Sequence, residues 1–122
     1  MVKQILIVED EEALLKALAI KFTKEGFKVS KAKNGLEGLE KAAAEHPDLI
    51  LLDIVMPKMD GMTMLAKLRK TRWGKDVEVV LLTNLSDTAK VADSFNKGVY
   101  SYLVKSDWKL EEVVKLVRQK LK

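Results

Sequence analysis

Five short apolar runs alternate with amphipathic stretches along the chain, and the runs differ in kind. Residues 5–8 and 49–52 are unbroken apolar segments, and residues 77–82 are interrupted only by Glu78. A strand with one face in water alternates apolar and polar side chains. An unbroken run suits a strand covered on both faces by helices, as in a parallel sheet. Residues 27–32 do alternate (Phe27, Lys28, Val29, Ser30), and within 99–104 Tyr100 and Tyr102 share one face. These two segments read as edge strands, the tyrosines facing water or a partner.

The stretches between them carry helical periodicity. Residues 11–25 place Leu14, Leu18 and Phe22, with Ala17 beside them, opposite Lys16, Lys21 and Lys24, and Gly26 closes the helix. Asn34 caps a helix through about residue 45 with Leu36, Leu39 and Ala43 inward, stopped by His46-Pro47. Asp60-Gly61 opens a third, to about residue 71, with Met64, Leu65 and Leu68 inward; Trp73 is a packing lid in the turn that follows. Ser86 or Asp87 caps a fourth, to about residue 97, whose apolar content (Ala89, Val91, Ala92, Phe95) is thin enough to let it shift. In the last helix Leu110, Val113, Val114, Val117 and Leu121 form the stripe, and Lys115, Arg118, Lys120 and Lys122 load its C-terminal half.

Five repeats of strand then helix predict an α/β, doubly wound (βα)5 three-layer sandwich with right-handed crossovers. With the second and fifth strands at the edges, the order of the five-stranded parallel sheet is 2-1-3-4-5, which sets strands one and three side by side.

Composition narrows this further. At 122 residues, 48% hydrophobic, the chain is one domain, 1–122, with a single core. It has no cysteine, which excludes disulfide frameworks and thiolate sites and fits a cytoplasmic location. No apolar run approaches a signal or membrane-spanning length, so no membrane partner is expected. The net charge of +4 comes from lysines and arginines spread over every segment, a solvated surface rather than a nucleic-acid face.

The chemistry sits where the strands stop. Residues 49–52 end on Asp53, and in open parallel sheets the binding crevice lies beyond the carboxyl ends of the strands. A structural Asp capping the turn before Pro57 would look the same. The first strand also ends on acids, Glu9 and Asp10. Beside Asp53 these crowd one crevice, where like charges raise at least one pKa and a hard divalent cation such as Mg2+ relieves the repulsion; the plainer reading is solvated acids at strand ends. Thr83 follows the fourth strand and Lys105 the fifth. His46, the only histidine, lies in a loop remote from these ends, and no catalytic role is expected of it.

Val8-Glu9-Asp10-Glu11, the stretch 52–57 with Met59-Asp60-Gly61, Thr83, and Tyr102-Leu103-Val104-Lys105 together resemble the receiver domain of two-component response regulators, over the whole chain. The resemblance implies a CheY-like, flavodoxin-like fold and a phosphorylation switch. Asp53 would accept a phosphoryl group from a sensor histidine kinase or histidine phosphotransfer protein. Mg2+, with Mn2+ as a substitute, would sit on Asp10, Asp53 and the backbone carbonyl of Val55, with Glu9 acting through water. Lys105 and the Thr83 hydroxyl would bind the remaining phosphoryl oxygens. Movement of Thr83 would let the Tyr102 ring turn inward, changing the helix 4, strand 5 and helix 5 surface for a downstream protein. The protein itself would be a monomer or a phosphorylation-dependent dimer and not an enzyme in the ordinary sense.

Two positions depart from the family pattern. Where the family usually has Pro after the lysine, in a cis peptide, this chain has Ser106; a non-proline cis bond costs about 2.5–4 kcal/mol, so a trans bond is expected. Asn84 replaces a small residue and could narrow access to Asp53 or add a donor. Val55 and Leu85, flanking the water path, are apolar, which implies slow self-dephosphorylation. A haloacid dehalogenase-like phosphatase would need an Asp-x-Asp pair after strand one, and here Asp10 is followed by Glu11 and Glu12. A flavodoxin-like FMN binder would need a hydroxyl- and glycine-rich loop there. A pseudo-receiver scaffold that signals without phosphorylation is the stronger rival. With no effector domain after Lys122, output is expected to pass to another chain.

Overall fold

The computed structural model describes residues 2–83, 88–99, 101–105 and 109–122. Five strands, β1 (Gln4–Val8), β2 (Lys28–Ala32), β3 (Leu49–Asp53), β4 (Glu78–Thr83) and β5 (Ser101–Val104), alternate with five helices, α1 (Glu12–Lys24), α2 (Gly35–Glu45), α3 (Gly61–Arg69), α4 (Thr88–Phe95) and α5 (Leu110–Lys120). The strands pair in parallel in the order β2-β1-β3-β4-β5, with β2 and β5 at the edges as their patterning requires.

The central strands are apolar throughout because each face meets its own helical layer. Leu6, Val8, Ile50, Leu52, Val79 and Leu81 pack with Met64, Leu65 and Leu68 of α3 and with Val91 of α4. On the other face Ile5, Ile7, Leu49, Leu51, Val80 and Leu82 meet Leu18 and Phe22 of α1 and Val113 and Val117 of α5. Residues adjacent along a strand therefore serve opposite layers, and polar side chains are confined to the strand ends, Gln4, Asp53, Glu78 and Thr83.

Two helices are rotated from their expected faces. In α1 the buried residues are Leu15, Leu18, Ala19 and Phe22, with Leu14 only partly buried. A strict four-residue spacing drifts by about 40° per step around a helix of 3.6 residues per turn, so the i, i+3, i+4, i+7 set takes the core instead. In α2 Leu39 packs against the core as expected, but Leu36 and Ala43 are exposed, and Gly35, Gly38 and Ala42 are buried. This helix packs by closeness: a Cβ on Gly38 would lie 2.8 Å from Met64 Sδ and 3.0 Å from Val8 Cγ2. Asn34 caps it as expected, accepting from the Glu37 amide at 2.9 Å, and His46 ends it in the left-handed conformation, φ 47°. Trp73 is half-buried against the core and stacks on the His46 ring at 4.6 Å.

Val91 and Ser94 are the buried residues of α4 among its described side chains, in line with its thin apolar content. Its C-terminal end is tied down from α3. The Arg69 guanidinium donates to the carbonyls of Lys97 (2.7 Å), Gly74 (2.9 Å) and Val77 (2.8 Å), with a longer contact to Gly98 at 3.5 Å. Burial pulls the Arg69 pKa down, while Asp76 and Glu78 oppose that shift. The expected cap at Ser86 or Asp87, the Tyr100 side chain and the Lys105 to Ser106 peptide lie outside the described residues.

Candidate functional site

Strand register places the acids together. Val8 pairs with Leu52, so Glu9, the next residue, stands level with Asp53 at the end of β3. Leu82 pairs with Asp53, and Thr83 with Val104, one residue before Lys105. The Lys105 amide donates to the Thr83 carbonyl at 2.7 Å, joining the ends of β4 and β5. Four of the expected site residues are thereby fixed by backbone pairing alone.

Asp53 is 3% exposed and Glu9 fully buried, while Asp10 is exposed. Lys105 Nζ lies between the two buried acids, 2.8 Å from Glu9 Oε1 and 3.1 Å from Asp53 Oδ1. The Glu9 contact is an ion pair by distance but lacks hydrogen-bond alignment, so Oε1 has no hydrogen-bond partner; Oε2 accepts from the Glu11 amide at 3.0 Å. Burial, and next the charge of Glu9, push the Asp53 carboxyl up to about 7 from an ordinary 3.8, with Lys105 pulling the other way. Lys105 itself is raised: burial lowers it, and the two carboxylates more than compensate.

Oxygens of Glu9, Asp10 and Asp53 all lie within 4.8 Å of one another. Oxygens across an octahedral Mg2+ shell are about 4.2 Å apart, so a cluster of this size suits a small hard cation. Lys105 brings one positive charge to the buried Glu9 and Asp53 carboxylates, and with Asp10 beside them the three acids keep a negative surplus that a cation would neutralise.

The turn after β3 is stapled on three sides. The Ile54 amide donates to Leu82 O at 3.3 Å, the Gly61 amide to Ile54 O at 2.7 Å and the Gly35 amide to Met59 O at 2.8 Å. Within it the Met59 amide donates to Pro57 O at 2.7 Å across Lys58, whose φ of 65° makes this a γ-turn. Asp60 caps α3 by accepting from the Thr63 amide at 2.8 Å, which holds its carboxyl below the usual range. Gly61 is required here: a Cβ would stand 2.0 Å from Asp53 O and 2.9 Å from its carbonyl carbon. Its part in seating Asp53 is not visible in the sequence, where Asp60-Gly61 reads only as a helix start. Val55 is 52% exposed at the crest of the turn. Thr83 is buried beside Asp53, and Tyr102 lies on the outside of β5, 47% exposed. Asn84 and Leu85 lie outside the described residues.

Residues 5–118 match the family described as response regulator receiver domain. The chain belongs to that family. This receiver domain is 34% identical over 119 residues to the DNA-binding dual master transcriptional regulator RpaA of Synechocystis, covering 98% of this chain and 49% of that protein. It is 33% identical over 115 residues to the response regulator ArlR of Staphylococcus aureus, covering 94% and 51%. The chain thus spans about half the length of the curated relatives it matches. Among solved structures, a CheY-like receiver domain protein from Methanospirillum hungatei superposes with a TM-score of 0.91 at 30% identity, covering 99% of this chain and 94% of that one. A CheX-CheY-BeF3-Mg complex from Borrelia burgdorferi gives 0.87 at 31% identity, covering 98% and 90%. The receiver domain is therefore a component of two-component signalling, a family that interacts with histidine kinases and downstream effectors and is generally non-enzymatic. Among its described residues no helix is long and apolar enough to cross a membrane.

Proposed function

We propose that Asp53 is the phosphoacceptor of this receiver domain and that Asp10, Asp53 and the Val55 carbonyl, with Glu9 through water, would hold Mg2+. The observation that carries the reading is a nearly buried carboxylate at the end of the central strand, bridged to a second buried acid by Lys105. In the transfer an Asp53 oxygen attacks phosphorus, the phosphorus to nitrogen bond of a donor phosphohistidine breaks, and the imidazole leaves with a proton. Such a step needs alignment and charge neutralisation more than covalent assistance. A bound Mg2+ supplies part of that neutralisation and favours the ionised form of Asp53. Lys105 takes a phosphoryl oxygen in this reading, supported by its ion pairs to Glu9 and Asp53, and the Thr83 hydroxyl takes another.

The donor is a sensor histidine kinase or a histidine phosphotransfer protein, and the readout is the surface of α4, β5 and α5, with Tyr102 moving inward as Thr83 engages the phosphoryl group. The cysteine-free composition fits a cytoplasmic setting. Because the exposed side chain of Val55 is apolar and cannot orient a hydrolytic water, loss of the phosphoryl group is slow.

Incubation with acetyl phosphate and Mg2+, read by intact mass, tests this directly. Wild type gains one phosphoryl group and Asp53→Ala gains none. No gain in wild type, together with no binding of beryllofluoride, overturns the reading in favour of a phosphorylation-independent scaffold. Decay of the phosphorylated form is faster for Val55→Asn than for wild type; a wild-type lifetime of seconds, unchanged by that substitution, overturns the hydrolysis part.

A further inference from the structure

Four of the chain's five methionines, Met56, Met59, Met62 and Met64, fall within nine residues that run from the turn after β3 into α3, and the function proposed above uses none of their side chains. They are not equally sheltered. Met64 is fully buried and Met56 nearly so, whereas Met59 and Met62 are half-buried, packed against the core from its margin. A thioether is apolar and pliant, and filling an irregular gap is reason enough for the sheltered pair. The other two stand where a small oxidant reaches them.

Met59 is also what holds the turn to α2. Its carbonyl accepts from the Gly35 amide at 2.8 Å, its amide donates to Pro57 O at 2.7 Å, and a Cβ on Gly35 would lie 2.9 Å from its Cγ. Lys58, between Pro57 and Met59, keeps φ at 65°, a conformation that a residue with a side chain holds only where its surroundings impose it. Met62 stands second in α3, directly after Gly61, the residue that backs onto the Asp53 carbonyl. The two half-buried thioethers thus seat the later half of the turn. Conversion of either to a sulfoxide puts a strong hydrogen-bond acceptor against an apolar cluster, so the side chain leaves the core for water and the turn loses that seat. The Val55 carbonyl rides on the same turn.

We propose that Met59 and Met62 are a sulfoxidation site at which hydrogen peroxide disengages the seat of Asp53. In each oxidation the sulfur lone pair attacks one peroxide oxygen and an S–O bond forms as the O–O bond breaks. The departing hydroxide takes the proton left on the transferred oxygen and becomes water; sulfur loses two electrons and peroxide gains them. A methionine sulfoxide reductase reverses the change. The modification itself does not depend on what Asp53 does, and its effect on signalling rests on the phosphoacceptor reading.

The full chain is treated with increasing hydrogen peroxide, quenched with catalase and mapped by peptide mass. Oxygen is expected on Met59 and Met62 at peroxide concentrations at least about fivefold below those that modify Met56 and Met64. Amide exchange in EDTA is then expected to quicken at least about tenfold at Gly35, Met59 and Gly61, whose bonds define the turn. The Mg2+ concentration that half-protects the turn is expected to rise at least about tenfold on oxidation and to return after treatment with methionine sulfoxide reductases A and B. The double variant Met59→Leu/Met62→Leu keeps the volume, removes the sulfur and resists peroxide in both readouts. Sulfoxide appearing first at Met56 or Met64, turn exchange or a Mg2+ midpoint unmoved by oxidation, or the same acceleration in the leucine variant each overturns the proposal. Acetyl phosphate labelling of the untreated protein tests the phosphoacceptor reading separately: exchange is measured without metal or donor, so a chain that gains no phosphoryl group still shows the quickened turn.

Discussion

Asp53→Asn in the metal-free protein is the perturbation that reads the site's electrostatics most directly. Burial and Glu9 together hold the Asp53 carboxyl at about 7 against an ordinary 3.8. Between those values the native state keeps a proton that the unfolded chain has released, so unfolding free energy falls as pH rises through the interval. The stabilisation is complete below the unfolded pKa and gone once the pH passes the folded one. A shift of about three units corresponds to about 4 kcal/mol, the largest gap that Asp53 ionisation opens between wild type and a neutral isostere. The isostere still loses the charge-assisted contact to Lys105, so a gain of about 2 to 4 kcal/mol is expected for Asp53→Asn at pH 8, on the order of 10 °C in Tm for a domain of this size. Urea unfolding of both proteins in EDTA from pH 4 to pH 8 gives the difference, in which groups unaffected by the substitution cancel. The gap should widen with pH up to about 7 and then level off. Saturating Mg2+ should close it by stabilising wild type alone. A gap that is flat across this range, or a variant less stable than wild type at pH 8 without metal, refutes the reasoning.

Two further substitutions probe the supports of the site. Gly61→Ala drives a methyl group into the Asp53 carbonyl, 2.0 Å away; it is expected to destabilise by about 3 kcal/mol or more and to slow phosphoryl acceptance, and a wild-type urea midpoint would refute the contact. Arg69→Met leaves the carbonyls of Gly74, Val77 and Lys97 without their donor, with an expected loss of about 3 to 5 kcal/mol and faster amide exchange at the start of β4 and the end of α4. A loss under about 1 kcal/mol would show that water replaces the guanidinium.

What the sequence made legible follows from where constraints are local. An unbroken apolar run suits a central parallel strand and its last residue opens on the crevice, so the placement of Asp53 and Glu9 at one end of the sheet could be read in advance, and the alternating edge strands gave the strand order. The inward face of α2 could not. Hydrophobicity ranks Leu36 above Gly38, but the helix approaches Met64 and Val8 so closely that even a Cβ at Gly38 would displace the Met64 thioether. Arg69 looked like one more solvated cation among 22 lysines and arginines; its role depends on carbonyls from three separate segments that meet only after folding. Val99, expected in the fifth strand, is not part of β5; it is buried, with its amide bonded to Ser94 O at 3.1 Å. Gly61 was visible as a helix opener, yet its tolerance is set by a backbone atom eight residues earlier.

The guanidinium that grips the carbonyls of Lys97 and Gly98 gives α4 a fulcrum. With that end pinned to α3, and Val91 and Ser94 the buried residues among its described side chains, a displacement of the helix is expected to be a swing about residues 97–98 rather than a slide. Travel is then greatest at the end farthest from the pin.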